Sequence, residues 1–160
     1  MADIDHNKAL INRFYIAFQE KNAAAMNACY AQDATFEDPA FGKLNGDQAR
    51  AMWAMLVERG GKELAVTHKI TDVSKTYVSA TWEAIYPFSQ TLRMVHNKIS
   101  AEFVIENGLI ISHKDHFNMW KWSSMALGLP GMLLGWSRFM KGKIREKALN
   151  SLSKYQKSNT

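Results

Sequence analysis

Asn107-Gly108-Leu109-Ile110-Ile111-Ser112-His113-Lys114-Asp115-His116-Phe117-Asn118-Met119 is the stretch that decides the architecture. Asn-Gly adopts the positive φ angles of a tight hairpin turn, so the runs on either side of it pair as antiparallel strands. Successive strand residues face opposite sides. Leu109, Ile111, His113, Asp115, Phe117 and Met119 therefore share one face, and Ile110, Ser112, Lys114, His116 and Asn118 the other. The first set is the more apolar and should point inward. His113 and Asp115 break its apolar character, roughly 7 Å apart by strand rise.

Working backwards, the alternation predicts strands over 91–106, 76–86 and 63–74, which with 109–119 make four. On 91–106 the apolar face carries Asn97, Ile99, Ala101, Phe103 and Ile105; on 76–86 it carries Val78, Ala80, Trp82, Ala84 and Tyr86. Upstream, helical spacing replaces alternation. Leu10, Phe14, Ala17 and Phe18 mark a helix over 5–20, and Met26, Cys29 and Tyr30 a short second one. A helix over 46–58 starts at an Asn45 cap, buries Ala49, Met52, Trp53 and Leu56, and ends at Gly60-Gly61. Between them Ala34-Thr35-Phe36-Glu37-Asp38 alternates and stops at Pro39, which biases Asp38 to extended geometry. Helices followed by hairpin-linked strands form an α+β fold.

The apolar interior thus receives the carboxylates of Asp38 and Asp115, the imidazole of His113 and the carboxamide of Asn97. A carboxyl group in an apolar wall has its pKa raised, which suits a general acid or base at neutral pH. Asp115, His113 and Asp38 are the catalytic candidates. Their structural reading is a buried Asp–His pair and a turn cap before proline. The expected ligand pocket is lined by Phe14 and Tyr15 of the first helix, Trp53 of the third, and Trp82, Tyr86, Asn97, Ala101 and Phe103 of the strands. Phe117, Met119 and Trp120 complete it.

The chain has 160 residues and a net charge of +5. Lys141 to Thr160 holds six basic residues against Glu146, so the remainder is near neutral and nucleic-acid binding is not indicated. The single cysteine, Cys29, excludes an internal disulfide. The polar start MADIDHNK shows no secretory signal, and a cytoplasmic location is the default expectation. His113 and His116 face opposite sides of one strand, and no cysteine cluster exists, so no metal site is expected. Neither a phosphate-cradling glycine loop nor a nucleophile elbow is present, and no cofactor is expected.

The run Tyr30-Ala31-Gln32-Asp33-Ala34-Thr35-Phe36-Glu37-Asp38-Pro39 resembles the corresponding stretch of ketosteroid isomerase. Phe14-Tyr15, the Asp38-Pro39 corner, and Asn107-Gly108-Leu109-Ile110 leading to Asp115-His116-Phe117 resemble the SnoaL-like, nuclear-transport-factor-2-like (NTF2-like) superfamily over about residues 8–120. The resemblance implies a cone-shaped fold, with a curved antiparallel sheet, N-terminal helices on its concave face, and a pocket for a small hydrophobic molecule. It also implies a homodimer through the sheet. Carried over by position, the isomerase's base falls on Asp38. Its oxyanion tyrosine falls on Phe14 and its protonated acid near Ala101, so neither oxyanion donor is present. The acid/base aspartate of SnoaL-type cyclases and of limonene-epoxide-hydrolase-like enzymes falls on Asp115. The run His113 to Trp122, followed by Ala126-Leu127-Gly128-Leu129-Pro130-Gly131, resembles a functionally unassigned bacterial subgroup. The expected function is a small-ligand protein, either a cofactor-independent isomerase, cyclase or hydrolase or a non-catalytic binding module.

Domain organisation is read as residues 1–122, the SnoaL-like domain, and 123–160, a helical extension packed on it. Residues 126–136 are apolar but too short to span a bilayer. Ile144, Ala148, Leu149, Leu152 and Tyr155 mark an amphipathic basic helix. It reads as a lid or packing element that covers Trp120, Trp122 and Trp136, in preference to a dimer contact or a membrane-surface anchor.

Overall fold

The computed structural model describes residues 2–160. Helices α1 (Ala2–Gln19) and α2 (Ala23–Asn27) lead into strands β1 (Tyr30–Asp38) and β2 (Gly42–Leu44). Helix α3 (Gly46–Gly60) follows, then β3 (Ala65–Val73), β4 (Tyr77–Pro87), β5 (Met94–Glu106) and β6 (Leu109–His116). The chain ends in α4 (Met119–Leu127), α5 (Leu129–Leu134) and α6 (Arg138–Ser158).

One curved six-stranded sheet runs in the order β2-β1-β6-β5-β4-β3. The 107–108 turn and both long hairpins are antiparallel, as the alternation predicts. β5 is buried at every second residue along its whole length, the signature of a strand with one wet and one dry face. One pairing departs from the expected antiparallel sheet: β1 lies parallel to β6. Helix α3 carries the chain from β2 to the far edge of the sheet, so β1 meets β6 without a hairpin between them and can lie parallel to it. The parallel register sets Phe36 beside His113 and Glu37 beside Lys114.

Helix α1 buries Asn7, Leu10, Ile11, Phe14, Tyr15 and Phe18 at helical spacing against the sheet. Asn7 Nδ2 donates to the carbonyls of Ser74 and Lys75, which anchors the helix start to the β3–β4 turn. Helix α3 begins with a capping box: Asn45 accepts from Gln48 N, and Gln48 Oε1 accepts from Asn45 N, both at 2.9 Å. Its buried face, led by Trp53, closes the concave side.

Several boundaries differ from the sequence reading. Tyr30 belongs to β1 instead of a second helix, because Ile110 N pairs with Cys29 O and draws that segment into the sheet. β2 is a short return strand around the Pro39 corner that alternation over three residues could not reveal. β5 begins at Met94, not 91. β6 stops at His116, because Asn118 caps α4 by accepting from Lys121 N. Met119 and Trp120 are therefore helical residues: Met119 is buried, whereas Trp120 turns outward.

Replacing Asn45 with alanine removes the side-chain arm of the capping box, the acceptor for Gln48 N, and keeps the backbone arm. Urea unfolding should show a loss of about 1 kcal/mol at unchanged m-value.

Candidate functional site

Five side chains form one hydrogen-bonded chain across the interior. Trp53 Nε1 donates to Tyr30 Oη at 2.9 Å, and Tyr30 Oη lies 2.7 Å from His113 Nδ1. His113 Nε2 lies 2.9 Å from Asp115 Oδ1, which also accepts from Trp82 Nε1 at 3.2 Å. With Asp115 ionised, one assignment satisfies every group: the His113 Nε2–H donates to Asp115, and the Tyr30 hydroxyl donates to His113 Nδ1. His113 is 1% exposed and Asp115 4%. A buried carboxylate is costly unless it is hydrogen-bonded, and Asp115 Oδ1 receives two N–H donors.

The two members face different surroundings. His113 is walled in by Phe14, Phe36, Trp53 and Phe103, with the Phe103 ring centroid 4.2 Å away. Asp115 sits where this aromatic packing ends and borders an apolar cavity of about 460 Å³. That volume lies within the ~300–1,000 Å³ of small-molecule sites. Trp82, Tyr86, Asn97 and Ile99 line it from the sheet, and Met52, Trp53 and Met55 from α3. Trp122, Met140, Ile144 and Ala148 close it from the C-terminal helices.

Asp38 lines the same cavity. Extending the β1–β6 register one residue past Glu37–Lys114 sets Asp38 beside Asp115, on strands ~4.8 Å apart. Asp38 Oδ1 accepts from Phe41 N at 2.6 Å, so the corner turn and the site share this carboxylate. Burial pushes its pKa up from 3.8 to about 7; the Phe41 hydrogen bond opposes this, the Asp115 charge adds to it, and Arg145 opposes it. Arg145 belongs to α6 and donates to the Pro39 carbonyl at 3.2 Å.

Two further polar groups meet the cavity from the sheet strands. Asn97 is 8% exposed, and its carboxamide makes no hydrogen bond among the described residues. Tyr86 Oη accepts from Trp122 Nε1 at 2.9 Å, which leaves its own proton free to donate; burial pushes its pKa up. Among the described residues, no three His, Cys, Asp or Glu side chains group to hold a metal ion.

The sequence-predicted pocket residues divide into two sets. Trp53, Trp82, Tyr86, Asn97 and Phe117 line the cavity together with Asp38 and Asp115. Phe14, Tyr15 and Phe103 lie in the packed aromatic end beside His113; Ala101 is buried opposite Asp115, and it, Met119 and Trp120 lie outside the lining. Parity assigned these residues a face but could not say how far the rings would fill the space behind it. Tyr15 stacks on His68, and its buried hydroxyl has no partner among the described residues. Tyr30, Trp122 and Arg145 were missed. The Asn118 cap was a readable signal for Trp122; nothing local marks the other two.

Tyr30→Phe leaves the Trp53 N–H and His113 Nδ1 unpaired in the interior. Its unfolding free energy should fall by about 2–4 kcal/mol in chemical denaturation. Asp38 yields a pH dependence of defined sign. Its native pKa is raised, so between about pH 4 and 7 the folded chain holds a proton that the unfolded chain has lost, and stability falls as pH rises through that window. Asp38→Asn keeps the acceptor for Phe41 N but cannot ionise. It should flatten this slope and gain on the order of 2–4 kcal/mol over the wild type at pH 8, with little difference at pH 4.

Compared with known proteins, residues 11–113 match the family model described as SnoaL-like domain. No functionally curated protein matches the chain. A proposed polyketide cyclase of Xanthomonas campestris pv. campestris is 19% identical, with a TM-score of 0.59, and the match covers 77% of this chain and 98% of that one. A Catenulispora acidiphila protein with a ketosteroid isomerase-like fold, in complex with trimethylamine, is 17% identical over 77% of this chain and 95% of that one, with a TM-score of 0.65. An LEH-like epoxide hydrolase of M. tuberculosis is 16% identical over 82% of this chain and 97% of that one, with a TM-score of 0.60. At these identities the likeness is one of fold.

Proposed function

Starting from a chain that belongs to the SnoaL-like domain family, we propose that it binds a small, largely apolar molecule in the central cavity and performs cofactor-independent acid/base chemistry on it. One observation carries this reading: two carboxyl groups on neighbouring strands border the same apolar cavity, and one has its pKa pushed up to about 7.

The two groups are held differently. Asp115 receives two N–H donors on Oδ1 and borders the cavity, which places its carboxylate as the general base. Asp38 is substantially protonated and suits an acid. In a proton abstraction beside a carbonyl, Asp115 takes the proton from carbon, and the C–H electron pair moves towards the carbonyl oxygen. Asp38 donates its proton, or a hydrogen bond, to that oxygen. Return of the proton to a different carbon gives an isomer; attack of the enolate carbon on a second carbonyl closes a ring. His113 and Tyr30 act as positioning residues, because His113 touches Asp115, Tyr30 touches His113, and neither lines the cavity. The proposed polyketide cyclase and the LEH-like epoxide hydrolase among the structural neighbours are consistent with this class of chemistry.

A second reading is a non-catalytic binding module. It is favoured by the positions that supply oxyanion donors in ketosteroid isomerase: Phe14 and Ala101 offer none and lie away from the cavity lining.

Solvent exchange separates the two readings. A panel of small apolar ketones in D₂O, followed by proton NMR, should show catalysed loss of the signal next to the carbonyl. Asp115→Asn should slow it by at least about a hundredfold, the usual scale of a general base, while the same ketones still bind. The rate should fall above about pH 7 as Asp38 loses its proton, and Asp38→Asn should remove that limb. Ketones that bind without catalysed exchange, or an Asp115→Asn rate equal to the wild type, support the binding module instead.

A further inference from the structure

The segment after the family match ends carries a surface that the cavity does not use. The sequence reading expects Trp120, Trp122 and Trp136 to be covered. Only Trp122 is, in the cavity wall. Leu129, Met132, Leu133, Leu134, Trp136 and Phe139 each expose between 46% and 67% of their surface, and Trp120 joins them from α4 at 48%. Seven large apolar side chains within residues 120–139 form a patch well beyond the scattered single residues of an ordinary surface.

The fold holds this patch outward. α5 packs on α4 through its glycines: a side chain at Gly131 would collide with the Ser123 carbonyl, and one at Gly135 with the Ser123 hydroxyl. The close approach uses the small face of α5 inward and leaves its leucines and methionine facing solvent. Trp120 Nε1 donates to Met132 O, and Trp136 Nε1 to Leu133 O, so the exposed indoles present ring surface with no polar group left for water.

Charge selects the partner. From Lys121 to Thr160 the chain holds eight basic residues against Glu146 alone. None of these cations is ion-paired among the described residues. Lys143 lies over the Phe139 ring, 4.9 Å from its centroid, at the edge of the patch. A second copy docked here would bring like charge against like, and a nucleic acid would leave the apolar side chains wet. An anionic bilayer meets both features: aromatic and aliphatic groups enter the headgroup boundary while lysine and arginine meet the phosphates. Among the described residues no helix is long and apolar enough to cross a membrane, so the mode is surface docking.

We infer that the α4–α5 corner, with the start of α6, is a docking surface for anionic phospholipid bilayers. Leu127, Pro130, Met140 and Lys143 border the cavity, so docking sets its mouth at the membrane face. The docking stands apart from the acid/base reading, and either can fail alone.

The test is co-sedimentation of the full chain with sucrose-loaded vesicles. Vesicles of phosphatidylglycerol and phosphatidylcholine should bind it, with a blue shift in tryptophan emission, and raising the salt should weaken binding. Pure phosphatidylcholine vesicles should bind at least about tenfold less. Leu133→Asp with Trp136→Ser should weaken binding by roughly tenfold or more, and Arg138→Glu with Lys141→Glu by a similar factor on anionic vesicles only. All four positions lie on the surface, and circular dichroism with thermal melting verifies folding of each variant. No sedimentation with anionic vesicles overturns the inference. So does equal binding by wild type and the Leu133→Asp, Trp136→Ser variant. A lipid-independent oligomer that this variant disperses assigns the patch to a second copy and overturns it as well.

Discussion

A carboxylate facing an apolar interior must be given partners, and the arrangement around Asp115 follows from that requirement. Its Oδ1 draws the His113 imidazole and the Trp82 indole. The imidazole needs a donor at its other nitrogen, which is Tyr30, and the Tyr30 oxygen takes the Trp53 indole. The five residues come from four elements: β6, which supplies both His113 and Asp115, β4, β1 and α3. The network therefore fixes how the sheet, its parallel strand β1 and the covering helix sit together. In a low-dielectric interior such a network is strong when complete and costly when broken.

The same network divides the interior into a structural and a chemical half. Behind His113 the rings of Phe14, Phe36, Trp53 and Phe103 pack edge to face, and no space remains. In front of Asp115 the cavity opens, with Asp38 at its wall. Asp115 stands at the boundary, held from behind and bare towards the cavity. Asp38 is held differently, by a single backbone donor at a proline corner, and burial leaves it near neutral. Similar groups on adjacent strands thus meet the cavity in different surroundings, because their hydrogen-bond supply differs.

The C-terminal helices serve two surfaces at once. α6 lays Met140, Ile144 and Ala148 over the cavity and ties its own Arg145 to the Asp38 corner. The α5 corner turns the opposite way and leaves its aliphatic side chains in water. These helices carry the whole positive excess of the chain, while the sheet domain is slightly acidic. Cavity closure and surface charge are thereby built from one segment.

Much of the architecture was legible from local pattern. Alternation in 76–116 and the Asn107-Gly108 turn determined the hairpins and put His113, Asp115 and Asn97 on the inward face, because side-chain direction in a strand is a matter of parity alone. The Asn45 cap and the Pro39 corner were equally local. What parity could not provide was depth: it could not separate Phe103 in the packed end from Trp82 and Tyr86 at the cavity. Nor could it see Tyr30, whose role depends on β1 lying parallel to β6, or Arg145, which reaches a corner more than a hundred residues earlier in the chain. The face of each residue follows from the covalent geometry of its own strand. Which residues become neighbours, and how much space is left between them, is decided only when distant segments pack together.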